Sequence, residues 1–140
     1  MSPRPVDVAV GTELPEQVSR VTRADLVRYA GASGDLNVIH WNERVAREVG
    51  LPGVIAHGML TAGIAARAVT AWAGDPGAVV EYSVRFSRPV VVPDDGTGAE
   101  VTVRGRVAAV LDGGQVRVDL TVTSGGEKVL SLARAVVALG

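Results

Sequence analysis

An α+β domain, with an antiparallel sheet wrapped around one buried helix, is the fold class that this sequence predicts. Three observations carry it. Residues 58–73 are mostly Ala, Gly, Thr, Ile and Val, with Arg67 the only charge, and a helix apolar nearly all round belongs inside a protein. From Val79 onward the hydrophobic period changes from helical to alternating, and glycine-bearing turns separate the runs. No repeat, low-complexity stretch or linker divides residues 1–140, so the chain reads as one domain with one core.

The elements follow in order. Residues 1–15, with Pro3, Pro5, Gly11 and Pro15, read as an arm and a loop. Gln17–Val21 has the length of a short strand. Thr22 is a good N-cap, Asp25 stands where a capping box wants its acid, and Leu26, Tyr29 and Ala30 follow at helical spacing. Gly31 and Gly34 are expected to close that helix. Asn42 is expected to cap a second, short helix from Glu43 to Val49, ended by Gly50 and Pro52. The alanines of the 58–73 helix give it a slim surface that a sheet can approach closely. In the second half, Val79–Arg88 alternates, with Val80, Tyr82, Val84 and Phe86 expected on one face. Pro89, Pro93 and Asp94-Asp95-Gly96 mark a bend. Glu100–Val110 and Gln115–Val122 read as strands joined at Asp112-Gly113-Gly114, and Ser124-Gly125-Gly126 leads into a last strand, Lys128–Ala138.

Composition excludes several function classes. Fourteen basic against fifteen acidic residues give a formal net charge of -1, which offers no electrostatic footprint for nucleic acid. The absence of cysteine removes disulfides, thiolate catalysis and cysteine-type zinc sites. Met1-Ser2-Pro3-Arg4-Pro5 lacks the apolar core of a signal peptide, and no apolar stretch is long enough to span a membrane. A soluble, cytoplasmic protein without a membrane partner is expected. There is no G-x-S-x-G elbow around Ser33, no G-x-G-x-x-G loop and no P-loop.

The chemistry concentrates in two places. Gly34-Asp35-Leu36-Asn37-Val38-Ile39-His40 brings a carboxylate, an amide and an imidazole onto one short loop. Asp35 could simply be a loop carboxylate that caps the next helix, and His40 could pack beside Trp41. They could also form an acid–base pair, because histidine titrates near neutrality and a neighbouring carboxylate can hold its tautomer; Asn37 would then fix a water or orient the imidazole. The second place is Ala56-His57-Gly58-Met59-Leu60-Thr61, at the start of the apolar helix. Helix N-termini present unpaired N–H groups, and a glycine at position 58 lets a ligand oxygen approach, or merely allows close packing. His57 is expected to be a helix-entry histidine bonded to local backbone. Asp35, His40 and His57 could in principle supply metal ligands, but there is no H-x-x-x-H pair, and no metal is expected.

Tyr29–Trp41 and Ala56–Thr61, supported by Trp72–Gly77 and Tyr82–Phe86, resemble the MaoC-like, (R)-specific hydratase/dehydratase family along essentially the whole chain. Within it they are most similar to the catalytic B subunits of actinobacterial (3R)-hydroxyacyl-ACP dehydratases. The resemblance implies a hotdog fold, an antiparallel β-sheet wrapped around one long central helix. It implies that Asp35 and His40 are the acid–base dyad, that Asn37 helps to hold it, and that the Gly58 amide binds a thioester oxygen. One departure is Val38, where the family usually has a proline that fixes φ and stiffens the loop. The activity implied is interconversion of (3R)-3-hydroxyacyl and trans-2-enoyl thioesters, on acyl carrier protein or CoA, without cofactor, by a homodimer or a heterodimer with a related subunit. A groove-shaping subunit without activity and a hotdog thioesterase are the competing readings.

Overall fold

A computed structural model describes residues 7–140; the proline-bearing start of the expected arm, residues 1–6, lies outside the described residues. The chain runs β1 (Gln17–Val21), α1 (Arg23–Ser33), α2 (Glu43–Glu48), α3 (Gly58–Ala73), β2 (Val79–Phe86), β3 (Ala99–Val110), β4 (Gln115–Ser124) and β5 (Glu127–Ala138). The five strands form one antiparallel sheet in the order β1-β3-β4-β5-β2. The α+β reading and the sheet curled about one long helix are therefore what the chain adopts.

Local chemistry explains the elements. Thr22 and Asp25 close a capping box at the start of α1, each bonding the other's backbone N–H. Gly34 ends the helix in a left-handed conformation, its N–H donating to the Ala30 carbonyl at 2.9 Å. Gly31, expected to help close it, instead lies within the helix, because only Gly34 adopts the left-handed turn. Asn42 caps α2 through the Val45 N–H.

Helix α3 spans the residues its composition implies. Ala65, Ala68 and Val69 are buried against the inward valines of the sheet, among them Val101, Val103, Val118 and Val122. The sheet does not enclose the helix completely: Met59, Gly63, Arg67 and Ala71 form an exposed stripe at i, i+4 spacing. Strand β2 also departs from expectation. It ends at Phe86, and an extra residue at Val80 breaks its alternation, since Val79 pairs with Val137 and Glu81 with Val136. Val79, Tyr82 and Val84 thus pack on the core, while Val80 and Phe86 are half exposed. A second bulge lies in β5, where Leu132 takes φ 48° and is exposed.

The bend after β2 hides an additional pairing. Residues 54–56 run antiparallel to residues 90–92, with Ala56 N–H to the Val90 carbonyl and Val92 N–H to the Val54 carbonyl, both at 2.9 Å. Arg23 braces this pair: its Nε donates to the Val92 carbonyl at 2.6 Å, and its guanidinium pairs with Glu43, whose carboxylate accepts the Val54 N–H.

Tyr82 ties β2 to the helix, its hydroxyl donating to the Ala62 carbonyl at 2.6 Å; burial pushes its pKa up to about 12. Tyr82→Phe removes that bond and nothing else of size. We expect a loss of about 1 kcal/mol, seen as a melting temperature roughly 2–5 °C lower, with the hydrogen-bonded sheet intact by circular dichroism.

Candidate active site

The loop after α1 is held by a chain of short-range bonds from polar side chains. Asp35 N–H donates to Ser33 Oγ at 3.1 Å, and Asp35 Oδ1 accepts the Asn37 N–H at 3.2 Å. Asn37 Oδ1 in turn accepts the Ile39 N–H at 3.3 Å and caps a single 3₁₀ turn, Val38–His40. Trp41 Nε1 closes the loop on the Leu36 carbonyl at 3.1 Å. Asn37 Oδ1 therefore acts on the backbone of the turn that carries His40, rather than on the imidazole itself.

The 3₁₀ turn carries His40 inward, where its side chain is 8% exposed. Nδ1 lies 2.7 Å from the Ile55 carbonyl, which can only accept, so Nδ1 bears the proton and Nε2 keeps its lone pair. The tautomer is thus set by Ile55, not by the carboxylate as the sequence suggested. Nε2 faces Asp35 Oδ2 at 3.9 Å. That is too long for a hydrogen bond. Both groups line one cavity, and neither Oδ2 nor Nε2 has another hydrogen-bond partner among the described residues. Asp35 is half exposed and open to an incoming molecule.

His57 is 1% exposed, and its Nε2 donates to the Asp35 backbone carbonyl at 3.2 Å, across 22 residues of sequence. The expected bond to local backbone is replaced by this longer-range one. Its ring stacks on His40 with centroids 3.8 Å apart and planes 22° apart, and Tyr29 approaches it at 4.7 Å. As N-cap of α3 it makes no side-chain capping bond. Leu60 and Thr61 N–H both go to the His57 carbonyl, which leaves the Gly58 and Met59 amides unpaired at the positive end of the helix. A Cβ on Gly58 would come within 2.9 Å of the Phe86 ring, so the glycine also serves that close packing.

These groups open on a cavity of about 500 Å³. Asp35, His40 and Thr61 bring polar side chains to its lining beside Gly58; Ile39, Leu51, Ile55, Val129 and Leu130 give it apolar surface, with Phe86 and Arg88. A carboxylate, an imidazole lone pair and free amides around an apolar chamber can move protons next to a carbonyl whose oxygen they stabilise. Asp35, His40 and His57 have ligand atoms within 4.8 Å of one another. Lone pairs lie in the ring plane, however, and two nearly parallel stacked rings cannot aim theirs at one ion; the His57 Nε2 proton is already directed at Asp35.

The MaoC-like domain family model matches residues 5–125. The chain belongs to this family. A solved MaoC-like dehydratase superposes on 99% of the chain with a TM-score of 0.95 at 44% identity, over 43% of that protein's length. The R-hydratase of Pseudomonas aeruginosa superposes on 97% with a TM-score of 0.83 at 27% identity, over 84% of its own length. The MaoC-like chain is also 46% identical over 79 residues to 3-hydroxyacyl-thioester dehydratase X of Mycobacterium tuberculosis, matching 56% of this chain and 27% of that protein. It is 39% identical over 88 residues to the (R)-specific enoyl-CoA hydratase of Rhodospirillum rubrum, matching 62% of this chain and 60% of that one. It therefore spans less than two thirds of these two relatives. The sheet about one helix is the hotdog fold.

The structure brings Asp35, His40 and Gly58 to one cavity, and Asn37 is not among the residues that line it. Sequence reasoning missed the Ile55 carbonyl, the Phe86 ring and the part His57 plays. At position 38 the departure from the family's proline is offset by the Asn37 cap. Asn37 has φ −55° and ψ 128°, which suits a residue before proline, and no bond uses the Val38 N–H. Val38→Pro is expected to leave the melting temperature unchanged or to raise stability by about 0.4–1 kcal/mol, measured by denaturant unfolding.

Proposed function

We propose that this MaoC-like domain interconverts (3R)-3-hydroxyacyl and trans-2-enoyl thioesters. The observation that carries the reading is the approach of Asp35 Oδ2 and His40 Nε2, 3.9 Å apart, in the lining of a largely apolar chamber that Gly58 also lines. The named relatives, a 3-hydroxyacyl-thioester dehydratase and an (R)-specific enoyl-CoA hydratase, support it.

In dehydration the weakly acidic C–H next to the thioester carbonyl loses its proton, and the β-hydroxyl leaves with a proton added, as water. Asp35 and His40 between them accept the first proton and deliver the second. Whichever proton His40 handles passes through Nε2, because Nδ1 is committed to Ile55. Positioned proton transfer is worth roughly 100- to 10,000-fold. The Gly58 N–H meets the charge that gathers on the thioester oxygen, and one such donor contributes roughly 2.7–4 kcal/mol. The apolar walls take the acyl chain, and hydration runs the same steps backward.

Assembly follows from the sheet. Strand β2 has β5 on one side only, so its outer edge is unpaired, and exposed Val80 and Phe86 flank it. A second hotdog chain, identical or related, covers that edge and completes the chamber next to Phe86. The substrate rides on CoA or on an acyl carrier protein in the cytoplasm.

Incubation with a crotonyl thioester tests the reaction. Loss of the enoyl absorbance with the thioester intact supports it. Release of free thiol marks a thioesterase, and silence in the presence of any partner marks a groove-shaping subunit. Asp35→Asn and His40→Ala are each expected to remove most turnover without unfolding the chain, with the double variant little worse than either. Near-wild-type turnover in either one rejects the dyad. Gly58→Val pushes the Phe86 ring aside and crowds the amide. Its kcat is expected to fall more than its stability; an unchanged kcat reduces Gly58 to packing. Light scattering should show a dimer, alone or with a partner, and a fully active monomer at micromolar concentration overturns the assembly.

A further inference from the structure

The proposed reaction uses one of the chain's two histidines. The other, His57, is buried, sits against the dyad, and has been given no part in the chemistry. Its Nδ1 is the one buried side-chain polar atom without a partner among the described residues. An unpaired buried nitrogen carries a desolvation cost of its own. Something must favour a histidine here over an apolar ring.

Both edges of the ring are informative. Nε2 bonds the Asp35 carbonyl and must carry the proton, because a carbonyl only accepts. Nδ1 is then a bare lone pair, and the ring is neutral. A second proton would place a charge in a buried site where Nδ1 has nothing to donate to. The groups facing the ring are few: His40 from the 3₁₀ turn, Asp35 from the loop and Tyr29 from α1. Burial, above all, holds the His57 pKa below its usual 6.5. The bond to Asp35 opposes that, a charge on His40 reinforces it, and the Asp35 carboxylate opposes it.

We propose that His57 is a positioning residue for the dyad: its Nε2–H fixes the backbone of Asp35 while its neutral face backs the His40 ring. One side chain thereby sets both partners relative to each other, from opposite ends of the 3.9 Å gap. A neutral ring face behind His40 also tolerates the imidazolium that forms when Nε2 takes a proton, whereas a second cation at 3.8 Å would repel it. The catalytic consequence rests on the dehydratase reading; the placement of the two rings and of Asp35 does not.

The experiment is NMR titration of the histidine rings, run beside turnover of crotonyl-CoA. In the intact chain His57 should show a protected Nε2–H and remain neutral as the pH falls through 6.5. A His57 that is protonated at Nδ1 instead, or charged at pH 6.5, overturns the proposal without any variant and whether or not a thioester is turned over. His57→Phe keeps a flat ring behind His40 and drops the bond to the Asp35 carbonyl. Expected are a shifted Asp35 carbonyl-carbon signal, as its donor is lost, and a kcat lower by on the order of 10- to 100-fold with KM little changed. His57→Gln, which keeps an N–H donor, should recover part of both. Variants that leave the Asp35 carbonyl signal unmoved, with kcat unchanged or falling only in step with melting temperature, reduce His57 to packing and overturn the proposal. If wild-type protein turns over no thioester while the Asp35 signal still shifts, the functional reading fails and the positioning role stands.

Discussion

The short antiparallel pairing of residues 54–56 with residues 90–92 is the constraint on which the site depends. It fixes the Ile55 carbonyl, and that carbonyl fixes the tautomer and tilt of His40. It sets where the chain enters α3, and so where His57 and the free amides of Gly58 and Met59 stand. It also builds a wall of the cavity from Ile55, Ala56 and Val90. Three ingredients from distant parts of the sequence are placed by two backbone hydrogen bonds and the Arg23–Glu43 brace across them.

Around that pairing, polar side chains serve backbone more than one another. Ser33, Asp35 and Asn37 each accept a backbone N–H within two residues, which shapes the loop without proline. Asp35 Oδ2, His40 Nε2 and the first amides of α3 remain uncommitted, and these are the atoms to which the proposed chemistry is assigned. One carboxylate oxygen of Asp35 is bound to the loop and the other is free.

Much of this was legible in the sequence, for reasons that differ by element. The period of α3, the capping box at Thr22 and the hairpin at Asp112-Gly113-Gly114 are local signals, and local physics decided them. Asp35 and His40 were legible because five residues bring them onto one loop. The bulges at Val80 and Leu132 were not, because they answer to strand register across the sheet and leave no mark in the alternation itself. Neither was the 54–56 pairing: three residues after Pro52-Gly53 look like coil until their partner is known. His57 was misread because its bond lies 22 residues away. Its scarcity was a usable hint, since the chain's only two histidines turn out to stack.

The slimness of α3 determines which parts of the molecule can drift. Ala65 and Ala68 sit fully against the sheet, where an added methyl group has no space to occupy, so their size is frozen. Ile39, Leu51 and Ile55 are only partly buried and face an open chamber, where a larger or smaller side chain alters a void more than a packed contact. Neutral variation is therefore channelled away from the helix and into the chamber wall. A lineage carrying this chain can retune the size of what it holds by single substitutions, without renegotiating how it folds.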